Sequence, residues 1–481
     1  MTNNARVLAL GLCVALAGCA GRRAADKCAD AELDVERTWT REARLSVESR
    51  LLSVDATRGR ARVEKIVTGM DNVARDWAMM QRQVCNDRFL RRETSRRQYL
   101  QMSQCLSAHL AQQRTIVLVM ASAQAERFDK LEESLSSVHE ELRNCQRAAI
   151  YGQYDGAGLA ADDARDDVSA AKVYLASGAV EAADAALQRS EGAGAGRSIG
   201  LRIDAWIAEG RVLAAKPEYA QARAVAERAL AQARAAGYSL AVADALELRA
   251  EVSAETGDLN AALADYEEVE RVRARELGEG AAATARAVHA IGAVYYQMGR
   301  DDDALRYYLR ALVVQEAALS ASHPTTANTY DTIGSIYTAK RRFDEALAYH
   351  NKALAYQERY LGPEHVATGN TYFHLGDLYR DQGDLDAALG YYLRTLPIDQ
   401  RVWGVDHPRT SSALQAIGEV HLRRGAPEQA LPYIQKALEI RRRVFGADAA
   451  ETRASAEAMA RICASGRAFA SCGQPKREES R

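Results

Sequence analysis

The chain has 481 residues, a formal net charge of -2, and 8 Pro and 8 Cys. A charge this close to zero argues against partners that are held mainly by charge, such as nucleic acid. Abundant Ala, Leu, Arg and Glu with few prolines favour an all-α protein, and the length favours more than one domain.

The first predicted element is a signal segment. A short polar start is followed by the apolar run "VLALGLCVALAG", which stops at "LAGC", Leu16 to Cys19. The run is too short to span a bilayer as a mature helix. It resembles a bacterial lipoprotein signal peptide, which implies removal of residues 1–18 and lipidation of Cys19. A signal cleaved without lipidation, or a short anchor, is the alternative.

The same resemblance places the protein in the cell envelope. Residues 19–27 would be a linker from the lipid-anchored Cys19, and Ala20 favours the outer membrane, facing the periplasm, over the inner membrane. Each buried methylene of the acyl chains contributes about 0.8 kcal/mol, so two or three chains would hold the protein firmly on the membrane.

Residues 28–150 are predicted to form a helical bundle or hairpin module. Segments such as 98–123 have apolar residues at helical spacing, and the polar stretch 91–97 separates two such segments.

Six cysteines remain once the signal is removed, and an even count in an oxidising compartment favours disulfides. Folding back near Ser95 predicts the pair Cys85–Cys105, and Cys28–Cys145 would then tie the ends of the module. The pair Cys463–Cys472 would close the C-terminal region. Other connectivities and buried free thiols are the alternatives.

After a Gly-rich linker at 151–164, the chain repeats with a period of 42 residues. Three positions of the repeat are constant: Thr284, Thr326, Thr368, Thr410 and Thr452; Gly292, Gly334, Gly376 and Gly418; and Ala304, Ala346, Ala388 and Ala430. Each unit is predicted to be two helices, with the Gly of the first facing the Ala of the second. Each pair leaves an apolar face that its neighbour covers, so the units stack.

The repeated Leu/Ile-Gly-x-x-Tyr and Ala-Leu segments resemble the tetratricopeptide repeat, and the 42-residue period resembles that of kinesin light chains. The resemblance implies a right-handed α-solenoid of about seven helix pairs over 165–452. Four regular repeats occupy 284–451, and a capping helix and tail occupy 453–481. The mature chain also resembles the exported, repeat-containing region of myxobacterial serine/threonine kinases, although no kinase domain is present.

In this repeat class, first-helix residues line a concave groove that binds a protein or peptide. The corresponding positions here are Arg286, His289, Tyr296, Asn328, Asp331, Thr338, Asn370, Phe373, Arg380, Ser412, Gln415 and Leu422. Phe373 and Arg380 are predicted to share the exposed face. Kinesin light chains carry paired Asn in the middle of this helix, and this chain does not. A simple solvated helix face is the alternative.

No catalytic motif is present, so the sequence predicts a protein that is not an enzyme and has no cofactor. His323, His365 and His407 recur at the joints between repeats, where they are predicted to cap helices rather than bind metal. The ladder of Tyr307, Tyr349, Tyr391 and Tyr433 is predicted to be packing.

The sequence therefore predicts a lipid-anchored scaffold of the cell envelope that binds a protein or peptide partner. The alternative is a sensory ectodomain that binds a ligand and relays the signal to a partner kinase or regulator.

Overall fold

The structure is a computed structural model that describes residues 38–54, 59–91, 93–122, 135, 142, 145, 162–193, 198–318 and 323–464. Within these residues the regular structure consists of α-helices and two short π-helical segments, with no strand. The all-α prediction is confirmed. No described helix is long and apolar enough to cross a membrane. Residues 1–37, which include the predicted signal segment, Cys19 and Cys28, lie outside the described residues.

The chain divides into two compact units, residues 1–321 and 322–481. The first unit contains α1 Arg41–Val54, α2 Gly59–Asn86, α3 Arg96–Ser122, α4 Asp162–Ala176, α5 Val180–Gly192, α6 Ile199–Ala215, α7 Tyr219–Ala236, α8 Ser239–Glu255, α9 Leu259–Leu277, α10 Ala282–Gln297 and α11 Asp301–Ala318. The second contains α12 Pro324–Ala339, α13 Phe343–Tyr356, α14 Val366–Gln382, α15 Leu385–Val402, α16 Pro408–Arg423, α17 Pro427–Phe445 and α18 Ala450–Ala464.

The described helices α1, α2 and α3 share one apolar core. Trp77 of α2 is buried in this core and donates a hydrogen bond from Nε1 to the carbonyl oxygen of Leu106 at 2.7 Å. Val173 of α4 belongs to the same core. The first helix after the Gly-rich segment therefore packs on the N-terminal helices instead of standing apart from them.

A disulfide joins Cys105 to Cys145, with their Cα atoms 5.5 Å apart. The predicted pairs Cys85–Cys105 and Cys28–Cys145 are therefore wrong. Cys85 and Cys105 lie at equal distances along the chain from the turn near Ser95. This spacing does not determine the helix face on which each thiol lies, so it does not show that the two thiols meet. Cys85 and Cys463 are also disulfide-bonded. The pair Cys463–Cys472 stays a prediction, since Cys472 is not among the described residues.

The repeated glycine sits under a large side chain. A Cβ added to Gly376 would lie 2.5 Å from the ring of Tyr392, sixteen residues later. The equivalent pairs are Gly292 with Tyr308, Gly334 with His350, and Gly418 with Ile434. The atoms nearest each glycine belong to the residue four positions after the repeated Ala, and each of these Ala residues is itself buried. One helical turn separates those two positions, so both lie on the same face.

The repeated threonine stabilises the loop between consecutive repeats. The Thr368 hydroxyl donates to the carbonyl oxygen of Gly362 at 2.7 Å, and Thr410 makes the same bond to Gly404 at 2.7 Å. Both glycines have positive φ, 88° and 97°, a backbone conformation that residues other than glycine rarely adopt. This hydrogen bond explains why threonine recurs at the same position of each repeat.

Candidate functional site

The predicted groove residues differ widely in exposure. Tyr296 in the first unit and Asn328 in the second are exposed, whereas Asp331, Thr338 and Gln415 are buried. The other seven are partly buried: Arg286, His289, Asn370, Phe373, Arg380, Ser412 and Leu422. The prediction that all twelve side chains line an open groove is therefore wrong for the three buried residues.

Phe373 and Arg380 are packing and ion-pairing residues of the second unit. The Phe373 ring lies 5.4 Å from the ring of Tyr392 and joins a buried core. Arg380 pairs with Asp377 at 2.6 Å and with Asp381 at 2.9 Å. The expected exposed pair is wrong, because the large Tyr392 side chain that covers Gly376 also reaches both residues.

Two buried members of the predicted row hydrogen-bond inside the fold. Thr338 donates to the carbonyl oxygen of Gly334 at 3.0 Å within its own helix. Gln415 donates to Glu419 at 2.8 Å and accepts from the Ser455 hydroxyl at 2.7 Å. Gln415 therefore links α16 to α18, and neither buried side chain offers a free surface.

The partly buried members near the C-terminus also make internal contacts. Arg409 donates a hydrogen bond to Asn370, and Ser412 donates to the carbonyl oxygen of Pro408 at 3.3 Å. Leu422 packs against the apolar core formed by α17 and α18.

In the first unit, His289 of α10 packs edge-to-face on Tyr308 of α11, with ring centroids 4.9 Å apart. Burial lowers the pKa of His289 to about 4, so this imidazole is neutral at pH 7. Arg286 and Tyr296 lie on the same helix, three residues before and seven residues after His289. On this helix, His289 is a packing residue that lies between the basic Arg286 and the exposed Tyr296.

A charge network that the sequence did not predict is centred on the buried Arg273 and joins α6, α8 and α9 of the first unit. Arg273 donates to both carboxylate oxygens of Glu247 at 2.8 and 2.9 Å, and to Asp244 at 2.9 Å. Arg211 of α6 donates to the same Glu247 carboxylate at 3.0 Å. Burial alone would raise the pKa of Glu247, but the two guanidinium groups outweigh it and hold that pKa far below its usual range.

In the second unit, three helices bring together a carboxylate and two imidazoles. Asp331 of α12 faces Nδ1 of His350 on α13 at 2.7 Å through Oδ1. Its Oδ2 faces Nδ1 of His374 on α14 at 2.9 Å. Asp331 and His350 are buried, while the His374 side chain is 37% exposed. We call these three residues the Asp331 cluster.

The Asp331 cluster holds its carboxylate ionised. Burial opposes the charge and would raise the pKa of Asp331, but His374 and the hydrogen bonds from both imidazoles lower it far below the usual range. Burial would lower the pKa of His374, and the neighbouring Asp331 charge overcomes that effect and raises it. The cluster is thus a compact set of one oxygen and two nitrogen donors.

The repeat register contains the signal that would have revealed this cluster. At the positions 42 residues away, Asp331 corresponds to His289 and Phe373, and His350 corresponds to Tyr308 and Tyr392. The neighbouring repeats fill these positions with packed rings, and only this repeat pairs a carboxylate with an imidazole. Comparing each repeat with its neighbours, position by position, would have singled out Asp331 and His350.

Comparison with known proteins gives the repeats their family. The family model described as "Tetratricopeptide repeat" matches residues 241–317, 282–355, 325–401, 379–443 and 409–468. Residues 241–468 are tetratricopeptide repeats. No curated protein sequence matches the chain.

Several solved structures resemble the chain. The crystal structure of BtubC from P. vanneervenii is 24% identical, covers 47% of this chain and 92% of its own, and has a TM-score of 0.42. Repeats of a putative kinesin light chain from Podosopora anserina are 17% identical, cover 41% and 94%, and have a TM-score of 0.36. Aspartyl phosphate phosphatase F from Bacillus subtilis is 14% identical, covers 80% and 94%, and has a TM-score of 0.44.

Two further predictions for the tetratricopeptide repeats are confirmed. His323, His365 and His407 each occupy an N-cap and accept a hydrogen bond from the backbone N–H two residues later. The tyrosine ladder stacks on the first helix of its own repeat, as in Tyr379 on Tyr391 with ring centroids 5.6 Å apart. These residues have structural roles, which leaves the Asp331 cluster and the exposed first-helix residues as the candidate site.

Proposed function

We propose that the chain is a lipid-anchored scaffold of the cell envelope whose tetratricopeptide repeats bind a protein or peptide partner. The observation that carries this proposal is the unbroken repeat register over residues 241–468. Stacked helix pairs of this kind build extended surfaces that bind other chains.

The exposed first-helix residues favour a partner with polar groups along its backbone. Asn328 presents an amide that can both donate and accept hydrogen bonds. Tyr296, which is 44% exposed, presents an aromatic ring with a hydroxyl, the kind of side chain that is enriched at binding hot spots. Within each unit these side chains suit an extended peptide better than a small apolar ligand.

Two features support export and anchoring. The Cys105–Cys145 disulfide suits an oxidising compartment such as the periplasm. The "LAGC" segment ending at Cys19 supports attachment of lipid, and several acyl chains on one cysteine would make release from the membrane negligible. By the same resemblance, Ala20 favours the outer membrane.

Replacing Cys19 tests the anchor, and native electrophoresis of the wild-type protein tests partner binding. We expect Cys19→Ala to leave an unprocessed or soluble product, because no thiol remains for the acyl chain. Wild-type protein should partition into the detergent phase and migrate in native electrophoresis within a complex larger than the 52.5 kDa chain.

Cys13→Ala is the matched control, because Cys13 lies inside the predicted signal and should carry no lipid. It should behave like wild type. If intact Cys19→Ala partitions as wild type does, the anchor is not on Cys19. If extracted wild-type protein migrates only as a free chain, the binding half of the proposal fails.

A further inference from the structure

The Asp331 cluster departs from the packing of the repeats around it. Within the second unit, the next repeat places Phe373 and Tyr392 at the positions of Asp331 and His350, with ring centroids 5.4 Å apart. That aromatic pair fills the same place without any charge. Burying a carboxylate costs free energy unless the charge is paired or hydrogen-bonded. An aromatic pair fills the same space without that cost, so packing alone does not explain Asp331 and His350.

The third member comes from the following repeat. His374 corresponds to Thr332 and Ala416 in the neighbouring repeats, neither of which could reach a carboxylate in the same way. Its imidazole supplies the second nitrogen donor at 2.9 Å from Asp331. Three residues that depart from their repeat positions therefore meet at one point.

Gly334 makes room for one of these donors. A Cβ at this position would lie 2.7–2.8 Å from the His350 ring, so the imidazole rests directly on the backbone of α12. Nε2 of His350 is buried and has no hydrogen-bond partner among the described residues. Nδ1 is the nitrogen that faces the Asp331 carboxylate, at 2.7 Å, so it is the atom that a metal ion shared with Asp331 would contact.

The donor set matches a transition-metal site. Two imidazole nitrogens and one carboxylate oxygen bind Zn²⁺ in open sites, at about 2.0–2.2 Å from the ion. One candidate donor atom from each residue of the Asp331 cluster lies within 4.8 Å of the others. A second candidate set, Cys105, His109 and Cys145, is not suitable, because the disulfide uses both of its sulfurs.

We propose that Asp331, His350 and His374 bind one divalent transition-metal ion of the Zn²⁺ class. The carboxylate supplies negative charge, and the two neutral imidazoles complete three protein ligands. The side of the cluster at His374 is the most exposed, so the fourth coordination position faces solvent there. A water molecule or a donor from another molecule can occupy it. This inference does not depend on the proposed membrane anchor or partner.

The test uses the full, oxidised chain after treatment with a chelator. Calorimetric titration with Zn²⁺ should show one tight site per chain, and Co²⁺ should give the visible absorption of a four-coordinate ion. His374→Gln removes a partly exposed ligand without opening the buried core, so the variant should fold. We expect its Zn²⁺ affinity to fall about 100-fold or more, since even removal of outer-sphere partners costs 10–100-fold. Asp331→Asn should have a similar effect.

His421→Gln is the matched control in the same unit, because His421 stacks on Tyr433 and lies outside the Asp331 cluster. It should retain the Zn²⁺ affinity and the Co²⁺ absorption of wild type. The proposal is overturned if wild type binds no Zn²⁺, or if His374→Gln binds Zn²⁺ and Co²⁺ as wild type does. In either case the three residues form a hydrogen-bonded structural network only.

Discussion

Gly376→Leu should lower the free energy of unfolding of the second unit by about 3 kcal/mol or more. A Cβ at this position would lie 2.5 Å from a ring carbon of Tyr392, which is fully buried and cannot move into solvent. The Tyr392 hydroxyl also donates to Asp377 at 2.7 Å, so a shift of the ring loses that bond. Denaturant unfolding followed by circular dichroism measures the loss.

Gly390→Ala supplies the control on the next helix. A Cβ at Gly390 meets nothing within 4 Å, so this change should stabilise α15 by about 1 kcal/mol through helix propensity. Adding Tyr392→Ala to Gly376→Leu should destabilise by less than the sum of the single changes, because the clash is removed. If Gly376→Leu is as stable as wild type, the close approach of α14 and α15 is wrong.

Arg273→Met should destabilise the first unit by about 3 kcal/mol. The Arg273 side chain is 5% exposed and makes three short contacts to Glu247 and Asp244. Its loss leaves the largely buried Glu247 carboxylate with the hydrogen bond from Arg211. Because the fold lowers the pKa of Glu247, the ion pair stabilises fully above the ordinary glutamate pKa of about 4.3, and this contribution is lost as pH falls. The difference between wild type and variant should therefore shrink below about pH 4.

Arg275→Met is the matched control on the same helix. Arg275 is 66% exposed and, among the described residues, forms an ion pair with the adjacent Glu276, so its replacement should change stability by less than about 0.5 kcal/mol. Equal unfolding curves for Arg273→Met and wild type at pH 7 would show that the buried network does not stabilise the unit.

The fold was predictable because one period fixes many positions at once. A strict spacing of 42 residues places Gly376, the turn at Gly383 and the cap at His407 in the same relation within each repeat. Helix ends and stacking then follow from local chemistry, in particular N-caps and glycines with positive φ. The irregular N-terminal helices lack such a period, and there the predicted pair Cys85–Cys105 was wrong.

The site was less predictable, because the period identifies a face and not the contacts of each side chain on it. The period predicts an exposed Phe373, but Tyr392, sixteen positions after Gly376, packs against its ring. Asp331 was placed on the same face, and the imidazoles that bury it come from two other helices. Those contacts depend on residues 19 and 43 positions later, a separation that helical periodicity alone does not address.

A photo-crosslinking amino acid at position 328 in living cells tests the central claim most directly. Asn328 is exposed on a first helix of the tetratricopeptide repeats, and Asp344, exposed on the second helix of the same repeat, is the matched control position. Binding of a partner by the first-helix face predicts one discrete, light-dependent adduct from position 328 in the membrane fraction and none from position 344. No adduct from position 328, or the same adducts from both positions, would contradict it.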